Sequence, residues 1–355
     1  MRTTGKLLLI FGIIALVSAI AFGFTVAAFG VTNGDYSISL GGREIGDLFY
    51  GGSAMENILP GNAGILFRHD MTNINENFEK NKEYRFSFGN DTIKDIAVSL
   101  ASCDARIICS DAGTTEVIYK TGDMKVNFAA VLEDGKLTVT EKNGSWLNFG
   151  SFRSSDLTLT VPKQMYESVK LNLASGTIHS TDLTADSIDA NAASGTMELG
   201  AFADDMTVQI ASGKMVLNNC TDRRASSVKV EAASGKIEMN GFKADRTKVE
   251  LASGKADLTG ISGNVDCEAA SGTINLSYAE WDGDLSIELL SGKVDVTLPA
   301  GSGIDVNYKR ASGSMKTDLD GQSLSPDGNT SFKTGGDNVH SVDAHTLSGS
   351  INVHN

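Results

Sequence analysis

One tripeptide, Ala-Ser-Gly, recurs through the second half of the chain at a nearly constant interval. It occurs seven times, and Leu replaces Ala in two further copies. The serines of the nine copies are Ser175, Ser194, Ser212, Ser234, Ser253, Ser271, Ser291, Ser312 and Ser348. They lie 18 to 22 residues apart, except for a last interval of 36, which equals two units of 18 with one corner lost. A fixed period near 19 residues predicts a solenoid.

The residues on either side of each tripeptide alternate between apolar and polar. In the unit before the fourth copy, apolar Val228, Val230 and Ala232 are separated by Lys229 and Glu231. Apolar residues also take alternating positions after each Gly. Period-two alternation is the pattern of a half-buried β-strand, so one strand enters and another leaves every tripeptide. The sequence therefore predicts an all-β, parallel β-helix-like solenoid of roughly 19-residue coils that turn at Ala-Ser-Gly corners.

The glycine of each copy is predicted to be a structural corner. These glycines are Gly176, Gly195, Gly213, Gly235, Gly254, Gly272, Gly292, Gly313 and Gly349. Because Gly takes positive φ at little steric cost, we expect positive φ at the corners, Gly235 included. The small Ser and Ala would stack on their equivalents ~4.8 Å away in the next coil.

The amino-terminal residues predict a membrane anchor. Residues 7–31 carry no charge and follow Arg2 and Lys6. At about 1.5 Å per residue, this stretch is long enough to cross ~30 Å of hydrocarbon. A cleaved signal peptide ending near Val26-Ala27-Ala28 is the alternative. The anchor interpretation gives a single-pass protein of the cell membrane with a cytoplasmic amino terminus and an extracytoplasmic solenoid.

From the amino terminus onward, the sequence divides into five segments. We predict a cytoplasmic tail (1–6), a transmembrane helix (7–31), a loop-rich extracytoplasmic entry segment (32–84), an irregular start of the solenoid (85–168) and the regular Ser-Gly repeat (169–355).

A family resemblance rests on one strand and on the corners. Residues 157–163 read Leu-Thr-Leu-Thr-Val-Pro-Lys, and most Ala-Ser-Gly corners that follow precede Thr or Lys. Together with the amino-terminal apolar segment, this order resembles the bacterial membrane-anchored putative-adhesin β-solenoid domain family, a domain of unknown function, over roughly residues 90–355. The resemblance implies an extracytoplasmic, membrane-anchored solenoid and carries over no catalytic residue. Cys103 departs from the pattern, since it stands where the first corner would have Gly, and residues 33–84 match nothing in it.

Catalytic and cofactor motifs are missing from the sequence. No nucleophile elbow, His-Glu-x-x-His motif or phosphate-binding Gly loop occurs. His340, His345 and His354 have spacings that do not place them on one face of a strand. We therefore predict no catalytic residue, no cofactor and no metal. Cys103 and Cys109 could close a small loop or remain free.

Two columns of charged residues flank the corners. Glu231, Glu250, Glu268 and Glu288 occupy the third position before four successive serines. Lys214, Lys236, Lys255 and Lys293 occupy the second position after the serine. One interpretation is a solvated face in which opposite charges pair between coils. The other makes the glutamates a weak candidate for a cation-binding stripe.

Charge and motifs together favour a non-enzymatic role. A net charge of -14 and a pI near 4.8 argue against nucleic acid as a partner. We expect an envelope surface or scaffold protein that meets the membrane through its amino-terminal helix and presents a rigid face to envelope proteins or wall polymers. The alternatives are a polysaccharide-acting β-helix enzyme and an accessory protein that senses envelope stress.

The carboxyl terminus raises the question of self-association. An unpaired strand edge after Ser348 would invite end-to-end association, and Pro at Asn352 would then weaken it. Alternatively, residues 322–337 fold back as a lid over the end of the solenoid.

Overall fold

The computed structural model of the chain consists of strands joined by tight turns. It describes residues 39–40, 43–44, 79–88, 93–123, 126–143 and 154–355. Within these ranges no helix has the length and apolar character needed to span a bilayer. The predicted transmembrane helix and signal-peptide site lie outside the described residues, as does most of the predicted entry segment. The division into five segments therefore stays a prediction.

The strands of the amino-terminal half are β1 (Ser39–Leu40), β2 (Arg43–Glu44), β3 (Glu83–Phe88), β4 (Asp95–Ser110), β5 (Thr115–Lys120), β6 (Val126–Glu133), β7 (Lys136–Asn143), β8 (Ser155–Pro162), β9 (Met165–Ala192), β10 (Thr196–Ile210), β11 (Lys214–Asn219) and β12 (Arg224–Ala232). Those of the carboxyl-terminal half are β13 (Lys236–Asn240), β14 (Lys243–Leu251), β15 (Lys255–Ala269), β16 (Thr273–Tyr278), β17 (Leu285–Leu289), β18 (Lys293–Thr297), β19 (Ser302–Arg310), β20 (Ser314–Leu319), β21 (Gln322–Leu324), β22 (Thr330–Gly335), β23 (Asn338–Thr346) and β24 (Ser350–His354).

Parallel ladders stack the repeats into coils, so the all-β, solenoid-like prediction is confirmed. The strands that enter the corners pair parallel in the order β10, β12, β14 and β15. The strands that leave them pair in the order β10, β11, β13 and β15. We call the sheet of entering strands face 1 and the sheet of leaving strands face 2. The corners form the border between them.

Small aliphatic side chains fill the space between the faces. Val208, Val230 and Val249 occupy the same inward position in three successive coils and are fully buried. Cys267 continues this column as a small, fully buried residue. Cys220, which lies outside this column, is half-buried. Each coil is thus held to the next by apolar contact as well as by the ladder.

The carboxyl-terminal coil does not lie at the end of the solenoid. On face 1, β23 pairs parallel with β17 on one side and with β19 on the other. On face 2, β24 lies in the same way between β18 and β20. The coil with Ser348 is therefore inserted between the coils with Ser291 and Ser312. The exposed edge after Ser348, one of the two alternatives, is therefore wrong, and no corner has been lost from the interval of 36 residues. That interval contains β20, which leaves the Ser312 corner, then β21 and β22, and finally β23, which enters the Ser348 corner.

The outermost coil is covered by two antiparallel strands, so the predicted lid is confirmed. β22 pairs antiparallel with β19 on face 1, and β21 pairs antiparallel with β20 on face 2. Both strands belong to residues 322–337, the segment expected to fold back.

The amino-terminal end uses the same arrangement. β4 runs through both faces and lies between β9 on one side and β7 and β8 on the other. β6 pairs antiparallel with β7, while β5 and then β3 add antiparallel strands beyond β8. At each end, therefore, the coil that is outermost in the solenoid is not the coil that comes first or last along the described chain.

Candidate functional site

The corners form one continuous row along the border between the faces. We call this the corner row. In spatial order its serines are Ser175, Ser194, Ser212, Ser234, Ser253, Ser271, Ser291, Ser348 and Ser312. The corner row contains every Ser-Gly copy that the sequence singled out.

Each serine hydroxyl of the corner row donates a hydrogen bond to the coil before it. Ser253 Oγ, for example, donates to the Ala233 carbonyl oxygen at 3.1 Å, and the Ser253 backbone N–H donates to the same oxygen at 2.9 Å. The equivalent hydroxyl bonds of the other eight serines measure 3.1 to 3.3 Å. The sequence reasoning explained Ser only by its small size and missed this role. The signal was available, because Ser stands at every copy where Ala or Gly would also be small.

The corner glycines are required for a different reason from the one predicted. Among the nine, only Gly176 has positive φ, at 97°. At Gly235, a Cβ atom would lie 2.9 Å from the Gly213 carbonyl oxygen and 3.0 Å from the Ile210 side chain. At Gly213 it would overlap the Gly195 carbonyl oxygen. The expectation of positive φ at Gly235 is wrong, since close approach between stacked coils, and not the turn itself, excludes a side chain.

Cys103 takes the place of glycine at the first corner. Its backbone is the group that a Cβ on Gly176 would meet, and the thiol is fully buried. Burial raises the pKa of the Cys103 thiol far above its usual value. Cys103, Cys109, Cys220 and Cys267 are all free thiols, so the small disulfide loop does not form.

A buried polar network closes the corner row at its amino-terminal end. Glu141 Oε2 accepts the backbone N–H of Ser102 at 2.9 Å, where later corners use a carbonyl oxygen. The Tyr119 hydroxyl donates to Glu141 Oε1 at 2.8 Å and lies 2.9 Å from Ser155 Oγ. Nothing in the repeat pattern pointed to Glu141 or Tyr119, because they come from the irregular coils.

Towards the other end, the corner row carries a shallow groove of about 320 Å³. It is lined by the corners of four neighbouring coils, those of Ser271, Ser291, Ser348 and Ser312, and by Lys293. Hydroxyls, glycine backbone and one ammonium group make this surface polar. Such a groove can form hydrogen bonds with a ligand. Its lining has no His, Asp or Glu that could act as a general base for one of the serine hydroxyls.

The glutamate column lies on face 1 and is less exposed than predicted. Glu231, Glu250 and Glu268 lie in register in three adjacent strands, with side chains 5%, 9% and 15% exposed. Lys229 Nζ lies 2.6 Å from Glu231 Oε1 and 3.3 Å from Glu250 Oε2. Opposite charges therefore pair between coils, as one interpretation held. The face is not fully solvated, however, since the lysine side chains cover the carboxylates.

The lysine column on face 2 is paired in a similar way. Lys236 contacts Glu238 of its own coil and lies 3.6 Å from Asp257 of the next. Lys214 lies 3.2 Å from Glu238, and Lys255 lies 2.8 Å from Asp257. The hydrogen bond from Lys236 is the largest cause that holds the pKa of Glu238 below its ordinary value.

The carboxyl-terminal histidines lie apart and pair with different aspartates. His354 Nε2 is 3.0 Å from Asp295, and His345 Nε2 is 3.0 Å from Asp343. His340 Nδ1 is 4.0 Å from Asp284. Within the described part of the chain, no group of three or more His, Cys, Asp or Glu side chains has an arrangement that could hold a metal ion.

Comparison with known proteins gives one family match. A family model described as Toastrack DUF4097 matches residues 93–354, well over half of the chain. A comparison with curated proteins gives no match.

Several solved structures are similar over most of their length. A "putative adhesin" from Parabacteroides distasonis is 12% identical, with 78% of this chain and 98% of that chain covered and a TM-score of 0.49. A "putative lipid binding protein" from the same organism is 15% identical, with coverages of 77% and 96% and a TM-score of 0.48. A "putative adhesin" from Parabacteroides merdae is 11% identical, with coverages of 78% and 97% and a TM-score of 0.45. At these identities and TM-scores, the neighbours assign no ligand or activity to this chain.

Proposed function

Because this chain belongs to the Toastrack DUF4097 family, a domain of unknown function, we propose that it is a non-enzymatic surface or scaffold protein of a bacterial cell envelope. In this proposal residues 7–31 anchor the chain in the cell membrane. The solenoid projects outside and presents the corner row to an envelope protein or a wall polymer.

The observation that carries the proposal is the uniform pairing of the corner row. Hydroxyl and backbone donors of each corner are bonded to the coil before it. Such pairing favours a rigid, straight surface over a mobile one. A rigid surface loses little conformational entropy when it binds an extended partner, which suits adhesion or scaffolding.

The groove near Ser291 is the part of the corner row that we expect to meet the partner. It provides hydroxyl acceptors from four coils and the Lys293 ammonium group. Neutral or acidic polymers rich in hydrogen-bond donors fit this chemistry, and the surrounding net charge of -14 favours a neutral one.

Binding of the purified chain to a panel of wall polymers and envelope proteins tests the proposal. Lys293→Ala should weaken binding to the recognised member, while Lys94→Ala, a comparably exposed lysine far from the groove, should not. Failure to bind any member, or hydrolysis of a bound polymer, would contradict a non-enzymatic binding role.

The membrane orientation needs its own experiment. A reporter that works only outside the cytoplasm should be active when it is fused after Asn355. Replacing Arg2 and Lys6 by Glu should lower this activity, because fewer chains would insert with the amino terminus in the cytoplasm. A reporter active only in the cytoplasm would contradict the envelope location. Mass spectrometry of the mature protein tests the alternative. If residues 1–28 are missing, the segment is a cleaved signal peptide and the protein is secreted.

A further inference from the structure

In the middle of face 1, three carboxyl groups contact two ammonium groups, and Asp266 of β15 adds a fourth carboxyl group level with Lys248. Glu231, Glu250 and Glu268 follow one another in register on β12, β14 and β15. Lys229 lies between the first two carboxyl groups. Lys248 contacts the second at 2.5 Å and the third at 3.2 Å. The lysines can therefore balance only two of the three carboxylates.

The strands packed against Glu231 bring no further cation into contact with it. From β10, the Gln209 side-chain amide donates to Glu231 Oε2, and Thr207 stands beside Lys229. From β14 come Glu250 and Lys248. Farther along the same face, Asp205 of β10 and Arg246 of β14 lie level with Ser227, four residues from Glu231.

The first two carboxyl groups are neighbours on adjacent strands. Glu231 and Glu250 lie in register, and their side chains are only 5% and 9% exposed. Two ionised carboxylates have only acceptor oxygens, so a hydrogen bond between these neighbours would need one proton. Without that proton, two buried like charges would face each other, which raises the energy of the folded state.

We propose that Glu231 and Glu250 form a proton-binding site in which the protonated Glu231 carboxyl donates to the Glu250 carboxylate. The bound proton neutralises the excess charge of the column. The middle coils of the solenoid are then held most tightly in mildly acidic surroundings, so the surrounding pH regulates their stability. This inference does not depend on the proposed binding function.

The two carboxyl groups have opposite pKa shifts, in agreement with this arrangement. Burial, followed by the bond with Glu250, raises the pKa of Glu231 above its ordinary 4.5. Burial opposes ionisation of Glu250 as well, but its bonds with Glu231 and Lys248 outweigh burial and lower its pKa to about 2. Glu231 therefore contributes stability that is complete below pH 4.5 and lost as the pH rises through its raised pKa. Glu250 contributes stability above 4.5 that is lost as the pH falls towards 2.

Urea unfolding of the full-length chain, in detergent, between about pH 4 and 8 tests the proposal. The wild-type midpoint should fall as the pH rises through the titration of Glu231, with the folding equilibrium changing by up to about tenfold per pH unit. Glu231→Gln should remove most of this dependence. Glu167→Gln, at a 62% exposed glutamate paired with Lys94, should keep it.

Infrared spectroscopy of the wild-type chain tests the site directly and requires no variant to fold. A protonated carboxylic acid band should persist above the pH at which exposed carboxyls have ionised, and Glu231→Gln should remove it while Glu167→Gln does not. A wild-type chain with no such band would overturn the proposal, as would equal pH dependence of the unfolding midpoint in all three proteins.

Discussion

Ser348 donates its hydroxyl to the Leu290 carbonyl oxygen at 3.3 Å, although 58 residues separate the two. The Leu347 carbonyl oxygen, in turn, accepts the hydroxyl of Ser312. The last corner of the sequence thus lies between two earlier ones, and the final strands are central members of both faces.

Asn352→Pro should destabilise the carboxyl-terminal coils. Asn352 lies in β24 between Asp295 of β18 and Lys316 of β20, so proline removes a ladder donor from a strand that is paired on both sides. A cost of about 3 kcal/mol or more is expected in urea unfolding. Ser323→Pro, in the exposed three-residue strand β21, should cost far less. Equal costs would mean that β24 is an edge strand.

Gly213→Ala should destabilise more than Gly200→Ala. A Cβ at Gly213 overlaps the Gly195 carbonyl oxygen, whereas at Gly200 the nearest atom lies at 3.3 Å. Neither glycine has positive φ, so the comparison isolates coil contact from backbone conformation. We expect a difference on the order of 1–3 kcal/mol in chemical unfolding. Similar losses at both positions would show that the coils can separate to admit the methyl group.

Removing hydroxyls from the corner row should weaken the stacking of coils in small, additive steps. Ser212→Ala, Ser253→Ala and Ser271→Ala each delete one donor to a carbonyl oxygen that keeps its backbone partner. The expected cost is about 0.5–1.5 kcal/mol per site. Ser323→Ala, at an exposed position in β21, serves as the control and should be neutral.

Tyr119→Phe should disrupt the network that closes the amino-terminal end of the corner row. The change leaves the buried Glu141 carboxylate without one of its two donors, and a loss of roughly 1–3 kcal/mol is expected by thermal or urea unfolding. Tyr308→Phe is a matched control. Tyr308 is as buried, and its hydroxyl has no hydrogen-bond partner among the described residues, so its removal should be neutral or stabilising.

Millimolar calcium should leave the melting temperature unchanged. Lys229 and Lys248 already occupy the positions between Glu231, Glu250 and Glu268 that a cation would need. A ligand bound only by the folded state would raise the melting temperature by mass action. A calcium-dependent rise that Glu250→Gln abolishes would restore the cation-stripe interpretation.

The local sequence pattern was enough to predict that each repeat forms one coil, but it did not predict the order in which the coils stack. Val228, Val230 and Ala232 show a strand by alternation, and the constant Ser-Gly spacing shows that strands stack. The corners of Ser312 and Ser348 carry the same local signals, however, so either could follow Ser291. Which one does is decided by the contacts of whole strands and by the lid, and no short stretch of sequence encodes that choice.

The positions of the charged columns could be predicted from the sequence, but the burial of their carboxyl groups could not. Strand alternation places Glu231 and Glu250 on the outer side of face 1, where exposure is the ordinary expectation. Their burial comes from lysine side chains and from the neighbouring strands on both sides. Such cover depends on side-chain conformations across three coils, which a single strand's pattern does not contain.

The inserted strands also determine how the solenoid responds to a pulling force. A terminal strand at an open edge can peel away one hydrogen bond at a time. β24 is clamped between two partners, so tension applied at the carboxyl end loads both flanking ladders at once, in shear. The solenoid cannot unravel from that end without first breaking both ladders. Pulled from its carboxyl end, a solenoid built in this way keeps its length under load.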